Sequence, residues 1–210
     1  MNRDAKFWTK VAPKYAKGKI KDQAAYELTL ERTLSYLEPE HSVLELGCGT
    51  GSTALLIAPH VGQIKGTDLS EGMIEIARSK ADQDGIANAM FETADAVAAL
   101  QGEASYDAIL GFNLFHLVPD PVRTMKAAST RLAPGGLFIS KTPCLSGVSL
   151  GKRILFRALI PLLQLIGKAP SDVTFFTVGE LEAQIEEAGF ELVETLSAPA
   201  ISRYVVARKR

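Results

Sequence analysis

Short apolar runs alternate with longer amphipathic stretches along most of the chain. The runs have the length and composition of buried strands, and turn-forming residues separate them from their neighbours. Strands are predicted at residues 42–46, 62–69, 88–93, 106–112, 137–140, 190–197 and 203–209. Because the stretches between most of them have helix composition, we expect an α/β fold with a mainly parallel sheet and helices on both faces.

The last two predicted strands are joined by residues 198–202. A connection of five residues cannot hold a crossover helix, so the two strands must pair antiparallel. The sheet is therefore predicted to end in one antiparallel strand.

Local signals mark the starts of several helices. Residues 1–40 have helix composition, and Ser70 can cap the helix after the second strand. Asp120 stands before a proline at a helix start, and Thr177-x-x-Glu180 has the spacing of a capping box. The apolar stripe predicted for the helix after Ser70 consists of Met73, Ile76, Ala77 and the stem of Lys80.

An apolar insert separates the fifth predicted strand from the last helix. Residues 154–167 are almost entirely apolar, but the run is too short to span a bilayer. Pro161 and Gln164 also interrupt it. A buried helix pair or a lid over an apolar pocket is the favoured interpretation.

Composition and charge narrow the functional classes. A chain of 210 residues with 47% hydrophobic and 22% charged residues suits one domain over residues 1–210, with an N-terminal helical cap at 1–40 and a lid insert at 143–176. The net charge of -1 argues against nucleic acid as a partner. Cys48 and Cys144 have neither metal-ligand spacing nor the density of a disulfide framework, so we expect reduced thiols and no metal site. The first residues lack an apolar run of signal-peptide length, so a cytoplasmic location is expected.

The candidate binding loop is ELGCGTGS, which directly follows the first predicted strand. In an open parallel sheet, ligands bind beyond the carboxyl ends of the strands. Gly47, Gly49 and Gly51 lack the Cβ that would hold a ligand away, and the following helix directs unpaired amides at it. The loop is predicted to hold a cofactor.

Two cofactors fit such a loop. A dinucleotide fingerprint would be G-x-G-x-x-G, with Ser52 as its last residue and Asp68 as the ribose acid. The observed spacing is G-x-G-x-G, and Glu45 would repel a pyrophosphate. S-adenosylmethionine carries a sulfonium and an ammonium instead, so the acid favours it, while an NAD-dependent oxidoreductase remains the alternative.

Further residues agree with the sulfonium cofactor. Asp68 can accept hydrogen bonds from both ribose hydroxyls. Asp95 can accept from the adenine amino group, and the amide of Ala96 can donate to the adenine ring. Leu69 and Met73 offer apolar surfaces to the adenine.

Five segments between residues 7 and 141 stand in order: VLELGCGTG, GTDLS, TADA, YDAILGFNLFHLVPD and RLAPGGLFIS. In this order they resemble the class I S-adenosylmethionine-dependent methyltransferases. The resemblance implies a Rossmann-like three-layer sandwich around a seven-stranded sheet, with order 3-2-1-4-5-7-6 and strand 7 antiparallel.

The resemblance also implies roles for individual residues. Tyr15 would close over the methionine end of the cofactor, and Gly111, Phe112 and Asn113 would bind the methionine ammonium, largely through the backbone. Cys48 would fill the small position inside the glycine loop. His116 is the candidate general base for an acceptor that must lose a proton, and its alternative is a packing or helix-start residue.

The sequence says least about the molecule that would accept the methyl group. The insert suggests a small apolar molecule, lipid-like or quinone-like. Peripheral membrane contact through residues 152–168 is one further expectation, because basic residues accompany the apolar run, and a homodimer contact is its alternative. A protein that binds the cofactor without turnover is also open. The basic residues concerned are Lys152, Arg153, Arg157 and Lys168.

Overall fold

The chain was analysed as a computed structural model. It describes residues 2–144, 150–197 and 201–210, with residues 150 and 152–158 described by their backbone alone. The side chains of Lys152, Arg153 and Arg157, and thus most of the predicted basic margin of the insert, lie outside the described residues.

Within the described residues, one sheet of seven strands organises the chain in the order β3-β2-β1-β4-β5-β7-β6. β1 to β5 run parallel, and β7 runs antiparallel to both β5 and β6. The strands are β1 Ser42–Leu46, β2 Gln63–Asp68, β3 Ala89–Thr93, β4 Tyr106–Phe112, β5 Leu132–Pro143, β6 Phe190–Ser197 and β7 Ser202–Lys209. The predicted fold class, strand order and antiparallel hairpin are confirmed.

The helices begin where the local signals place them. Ser70 accepts a hydrogen bond from the Met73 amide, and Asp120 accepts one from the Arg123 amide. The capping box formed by Thr177 is complete. The helices are α1 Arg3–Ala16, α2 Gln23–Leu34, α3 Ser52–Ile57, α4 Glu71–Asp84, α5 Pro121–Arg131, α6 Leu150–Leu165 and α7 Val178–Glu187, with short 3-10 turns at 58–60, 98–100 and 115–117.

Three details differ from the sequence prediction. Residues 1–40 form two helices, because the chain leaves α1 after Ala16 and Asp22 caps a new helix through the Ala25 amide. The fifth strand begins at Leu132 rather than residue 137, since Leu132 pairs with Tyr106 before an irregular stretch. The insert contains α6 as a single helix within its described part, not a buried helix pair.

Two apolar layers hold the helices against the sheet. On one face, Phe138 stacks on Phe190 and packs near Phe115, beneath α5 and α7. On the other face, Ile64 of β2, Tyr204 of β7 and Ile74 of α4 are fully buried in the layer between the sheet and α2, α3 and α4. The arrangement is the three-layer sandwich that was expected.

Polar contacts fix α2 across the carboxyl-terminal half of the sheet. Arg32 forms a two-pronged ion pair with Glu194 of β6, at 2.9 and 2.5 Å, and the Tyr36 hydroxyl donates to the same carboxylate. Thr33 and the Tyr204 hydroxyl lie 3.3 Å apart in the buried interface. These contacts tie α2 and the residues after it to the antiparallel hairpin of β6 and β7.

Gly66 of β2 allows the closest packing beneath that loop. A Cβ at this position would lie 2.7 and 2.8 Å from ring carbons of Phe91 and 3.0 Å from the sulfur of Cys48. We expect Gly66→Ala to lower the free energy of unfolding by about 1–3 kcal/mol, because the ring and the loop must move apart. Urea unfolding followed by circular dichroism measures the change.

Gly179→Ala is the matched control. Gly179 lies in the first turn of α7, and nothing lies within 4 Å of its missing Cβ. Alanine there should raise the free energy of unfolding by up to about 1 kcal/mol, since glycine has the weaker helix propensity. Equal unfolding midpoints for the two variants would contradict the packing argument.

Candidate active site

The glycine loop joins β1 to α3, and its three glycines have left-handed backbones. Their φ values are +64° at Gly47, +55° at Gly49 and +74° at Gly51. A Cβ on Gly47 would lie 2.8 Å from Leu114, and one on Gly51 would lie 2.8 to 2.9 Å from Ala77 and Phe91. Gly47 and Gly51 therefore serve packing between protein segments, whereas Gly49 faces more open space.

Asp68 ties the glycine loop to the end of β2. One carboxylate oxygen accepts from the Gly49 amide at 3.0 Å, and the other accepts from the Ser70 amide at 2.9 Å. Each oxygen keeps a lone pair for a ligand hydroxyl. Burial raises the pKa of Asp68, while the two amides lower it.

Two cavities meet at the glycine loop. Their common wall contains Tyr15, Gly47, Gly49, Phe112 and Asn113. Of the predicted cofactor residues, all but Gly51 and Gly111 line one cavity or both. The structure therefore brings residues from five separate chain segments to one place.

The first, here called the acidic cavity, has a volume of about 650 Å³ and contains most of the predicted nucleoside contacts. Asp95 begins the 3-10 turn at 98–100, because one of its oxygens accepts from the amides of Val97 and Ala98 at 2.9 Å. The acidic cavity is lined by residues that include Asp68, Leu69, Met73, Asp95, Ala96, Trp8, Leu117, Pro143, His116 and Asp172. The predicted ribose and adenine residues thus share a cavity with the candidate base.

The second, here called the lysine cavity, has a volume of about 700 Å³ and lies beneath α2 and the end of α1. Four lysines line it: Lys14, Lys19, Lys21 and Lys141. Glu45, Cys48, Tyr26 and Thr29 also contribute to its wall. Tyr26, Thr29 and the four lysines were not among the residues predicted from the sequence.

Glu45 is a buried acid with an incomplete set of partners. It is 2% exposed, and one carboxyl oxygen has no hydrogen-bond partner among the described residues. Burial and the charge of Asp68 raise its pKa to about 8, against the lowering effect of the Ala54 amide. A buried carboxyl of this kind favours a cationic ligand, which would restore its ordinary acidity.

Tyr15 and Asn113 complete the shared wall. Tyr15 is 57% exposed as a residue, and one of its ring carbons lies 3.8 Å from the position of a Cβ on Gly49. Asn113 has a positive φ of 55°, and its amide donates to the Lys141 carbonyl at 2.7 Å. Gly111 faces elsewhere, because a Cβ there would collide with the Phe115 ring at 2.5 Å.

His116 lies in the 3-10 turn at 115–117 and lines the acidic cavity. Its Nδ1 is buried without a hydrogen-bond partner among the described residues. Burial lowers its pKa to about 4, so the imidazole is neutral at pH 7. The Thr174 amide donates to the His116 carbonyl at 2.7 Å, which fixes the turn against the end of the insert.

Two lysines that sequence reasoning did not assign to the site support it from opposite sides. Lys80 donates to the Thr50 carbonyl, the Thr50 hydroxyl and the Ser52 hydroxyl, at 2.9 to 3.1 Å. The predicted apolar stripe of α4 is confirmed for Met73 and Ala77 and is wrong for Ile76 and Lys80. The buried face is formed by Met73, Ile74, Ala77 and Ala81. The sequence analysis did not assign Lys141 to the site, although a lysine near the end of a predicted buried strand is unusual enough to indicate a functional residue.

Metal and membrane features are limited. Throughout the described ranges, no group of three or more His, Cys, Asp and Glu side chains could hold a metal ion. Nor does any helix in this part of the chain have both the length and the apolar character needed to cross a bilayer.

Comparison with known proteins agrees with this geometry. The sequence profile described as "Methyltransferase domain" matches residues 19–195. Ubiquinone biosynthesis O-methyltransferase of Acinetobacter baylyi is 29% identical over 155 residues, which are 71% of this chain and 63% of that protein. The enzyme of the same name from Dinoroseobacter shibae is 30% identical over 154 residues, 72% of this chain and 60% of that protein. The chain thus spans less than two thirds of the length of these relatives.

Solved structures share the fold at lower identity. A SAM-dependent methyltransferase from Thermotoga maritima superimposes with a TM-score of 0.72 at 22% identity, covering 100% of both chains. The magnesium protoporphyrin IX methyltransferase of Synechocystis, solved with bound SAH, gives 0.68 at 18% identity, covering 92% of this chain and 90% of that one. The profile match over most of the chain, on a sheet of this order, shows that the chain belongs to the class I S-adenosylmethionine-dependent methyltransferases.

Proposed function

We propose that the protein transfers a methyl group from S-adenosylmethionine to a small apolar acceptor of the quinone or quinol type. The observation that carries the proposal is the acidic cavity, in which Asp68 and Asp95 share one space with His116. The names of the Acinetobacter and Dinoroseobacter relatives support the acceptor class.

The residues around the glycine loop fit the cofactor. Asp68 would hold the ribose, and Asp95 with the Ala96 amide would hold the adenine between Leu69 and Met73. The unpartnered oxygen of Glu45 would lie toward the cationic end, with Asn113 and the Phe112 carbonyl nearby. When bound, S-adenosylmethionine supplies an electrophilic methyl group whose departure leaves a neutral sulfide.

The chain itself contributes alignment and exclusion of water. Trp8 and Tyr15 of α1 line the acidic cavity together with Leu114 and Leu117. Holding an acceptor oxygen in line with the methyl carbon accounts for much of the acceleration such a reaction requires. The apolar walls favour an acceptor with little polar surface.

His116 would accept the hydrogen bond of the acceptor hydroxyl. Its buried Nδ1 has no partner among the described residues, and its imidazole is neutral at pH 7. We assign the neutral imidazole the orientation of an acceptor hydroxyl such as that of a phenol. Burial disfavours the imidazolium, so the proton would move to His116 only as the new O–CH3 bond forms, because methylation of the oxygen makes its O–H strongly acidic.

The insert and α1 would form a lid over this cavity. Asp4 accepts from the Ser171 amide at 2.8 Å and from the Ser171 hydroxyl at 2.6 Å, and Arg3 donates to the Gln164 carbonyl. Pro143 and Asp172 are the described insert residues that line the acidic cavity. The contact of two chain segments at the cavity entrance supports a lid role for both.

The outer surface of this lid fits an anionic membrane. Leu162, Leu165 and Ile166 are 57%, 82% and 56% exposed at the end of α6. Exposed cations of the adjoining α1 could contact acidic headgroups, namely Arg3, Lys6, Lys10 and Lys14. We therefore propose peripheral contact with anionic lipid, which would present an apolar acceptor directly to the cavity.

The acceptor proposal is tested with labelled S-adenosylmethionine and two catechols, one with a butyl chain and one with a hydroxyl-terminated chain of the same length. We expect kcat/KM to favour the butyl compound by about tenfold or more, because burying the terminal hydroxyl against apolar walls without a hydrogen-bond partner costs about 1–3 kcal/mol. His116→Asn should lower kcat by about 100-fold with the cofactor Kd unchanged. Cofactor binding without transfer to either catechol would overturn the proposal and favour a binding protein without turnover.

The raised pKa of Glu45 predicts a pH dependence of stability. In the ligand-free fold its pKa is about 8, above the ordinary value of 4.5, so the folded state binds this proton more tightly. That contribution is complete below about pH 4.5 and is lost as the pH rises through 8. Glu45→Gln should therefore raise the thermal midpoint more at pH 8.5 than at pH 5, while weakening cofactor affinity.

The control for this substitution is Glu92→Gln. Glu92 forms its ion pair with Lys65 at the exposed edge strand β3. Its replacement should change the midpoint little at either pH. An equal effect of Glu45→Gln at both pH values would show that Glu45 is ionised in the ligand-free fold.

The membrane contact is tested by flotation with vesicles of phosphatidylglycerol or phosphatidylcholine. We expect binding to the anionic vesicles alone, reduced several-fold by Leu165→Ser with Ile166→Ser and weakened by salt. Leu56→Ser, at a 48% exposed leucine of α3, is the control. Absence of vesicle binding together with a dimer that the double variant disrupts would identify the surface as a subunit contact instead.

A further inference from the structure

Lys141 is a buried cation in the wall of the lysine cavity. It lies near the end of β5, between Phe112 of β4 and Tyr204 of β7. Strand alternation places it on the same face as Ile139, beneath α2, and it is 9% exposed. Its side chain therefore ends between the sheet and the N-terminal helices, at the edge of an open space.

The ammonium has neutral partners. It donates to the Ala25 carbonyl at 3.2 Å and to the Thr29 hydroxyl at 2.9 Å, which uses two of its three N–H groups. In the part of the chain that the structure describes, no carboxylate lies within ion-pair distance of it, although Asp22 acts at longer range. Burial lowers the pKa of Lys141. A buried charge is normally balanced by an opposite one.

The surrounding charges do not supply that balance. Lys14, Lys19 and Lys21 line the same cavity and are exposed at its mouth. Glu45 is the carboxylic acid among the described lining residues, and with a pKa of about 8 it is largely protonated at neutral pH. The cavity therefore carries net positive charge and attracts an anion.

The polar groups suit a singly charged anion. Besides the ammonium, the wall offers the hydroxyls of Tyr26, Thr29 and Thr53. Phosphate recognition commonly uses arginine forks or several backbone amides, and no arginine stands among the described lining residues. One buried ammonium with neighbouring hydroxyls matches a carboxylate.

We propose that the lysine cavity is a carboxylate-binding site in which Lys141 supplies the opposing charge. The carboxylate can come from the amino-acid end of the cofactor or from an acidic group on the acceptor. The second source rests on the proposed methyl transfer, whereas the first requires cofactor binding alone.

Two matched ligand pairs separate the sources in calorimetric titrations. S-adenosylhomocysteine carries a carboxylate, whereas 5′-methylthioadenosine has the same nucleoside without the amino-acid end. 3,4-Dihydroxybenzoate is compared with its methyl ester in the same way, with S-adenosylhomocysteine present. Both pairs are measured for the wild-type protein and for Lys141→Met, so catalysis is not needed for the readout.

We expect Lys141→Met to weaken one carboxylate ligand by about 10- to 100-fold, and its carboxylate-free counterpart by less than about twofold. Loss confined to S-adenosylhomocysteine assigns the site to the cofactor, and loss confined to dihydroxybenzoate assigns it to the acceptor. Unchanged binding of both acids, or equal losses within both pairs, overturns the proposal. Binding of 5′-methylthioadenosine to the wild-type protein tests the nucleoside part of the cofactor site, so failure of the carboxylate proposal can be told apart from failure of the proposed cofactor site.

Further variants distinguish a ligand-binding role of the Lys141 charge from a purely structural role in supporting α2. Lys141→Arg keeps the charge and should restore most of the lost carboxylate affinity. Thr33→Val removes a buried hydroxyl of α2 that does not line the cavity, and it should lower stability without changing either affinity ratio. If Lys141→Met fails to fold, the wild-type protein decides: equal affinity within both ligand pairs overturns the proposal.

Discussion

The site depends on the close packing that holds the glycine loop at the carboxyl end of β1. Leu114 occupies the space above Gly47, and Phe91 with Ala77 occupies the space above Gly51, at separations that leave no room for a Cβ. Asp68 then fixes Gly49 from β2, and Lys80 fixes Thr50 and Ser52 from α4. Four elements thus determine the path of a few backbone atoms, and the cofactor residues are positioned relative to that path.

Buried charge is the second feature that shapes the site. Glu45 and Lys141 point to the same face of the sheet, from β1 and from β5, and each is buried with an incomplete set of opposite charges. In the ligand-free fold burial raises the pKa of the acid and lowers the pKa of the lysine, so both are driven toward neutrality. A ligand with both a cation and an anion would relieve both groups.

The strand positions and most helix starts were predictable because they depend on local signals, whereas the strand order was implied by the family resemblance. Strand runs at 42–46, 106–112 and 190–197 end where the structure ends them, since short apolar segments flanked by turn residues allow few alternatives. Three helices begin with a side chain that accepts a hydrogen bond from the amide three residues later; these side chains belong to Ser70, Asp120 and Thr177. The start of β5 was misplaced, because its first pair, Leu132 with Tyr106, is a contact between distant segments.

By itself, the sequence determined the α/β architecture and the hairpin through periodicity and capping, and its ordered motifs indicated the family and several of the residues that line the two cavities. Only the tertiary structure decided that Gly47 and Gly51 serve packing, that His116 is buried and neutral at pH 7, and that Lys80 supports the loop. It also placed Lys141 opposite α2, 112 residues from Thr29 along the chain. The physical reason is that burial and charge balance depend on segments brought together by folding, and no local pattern carries them.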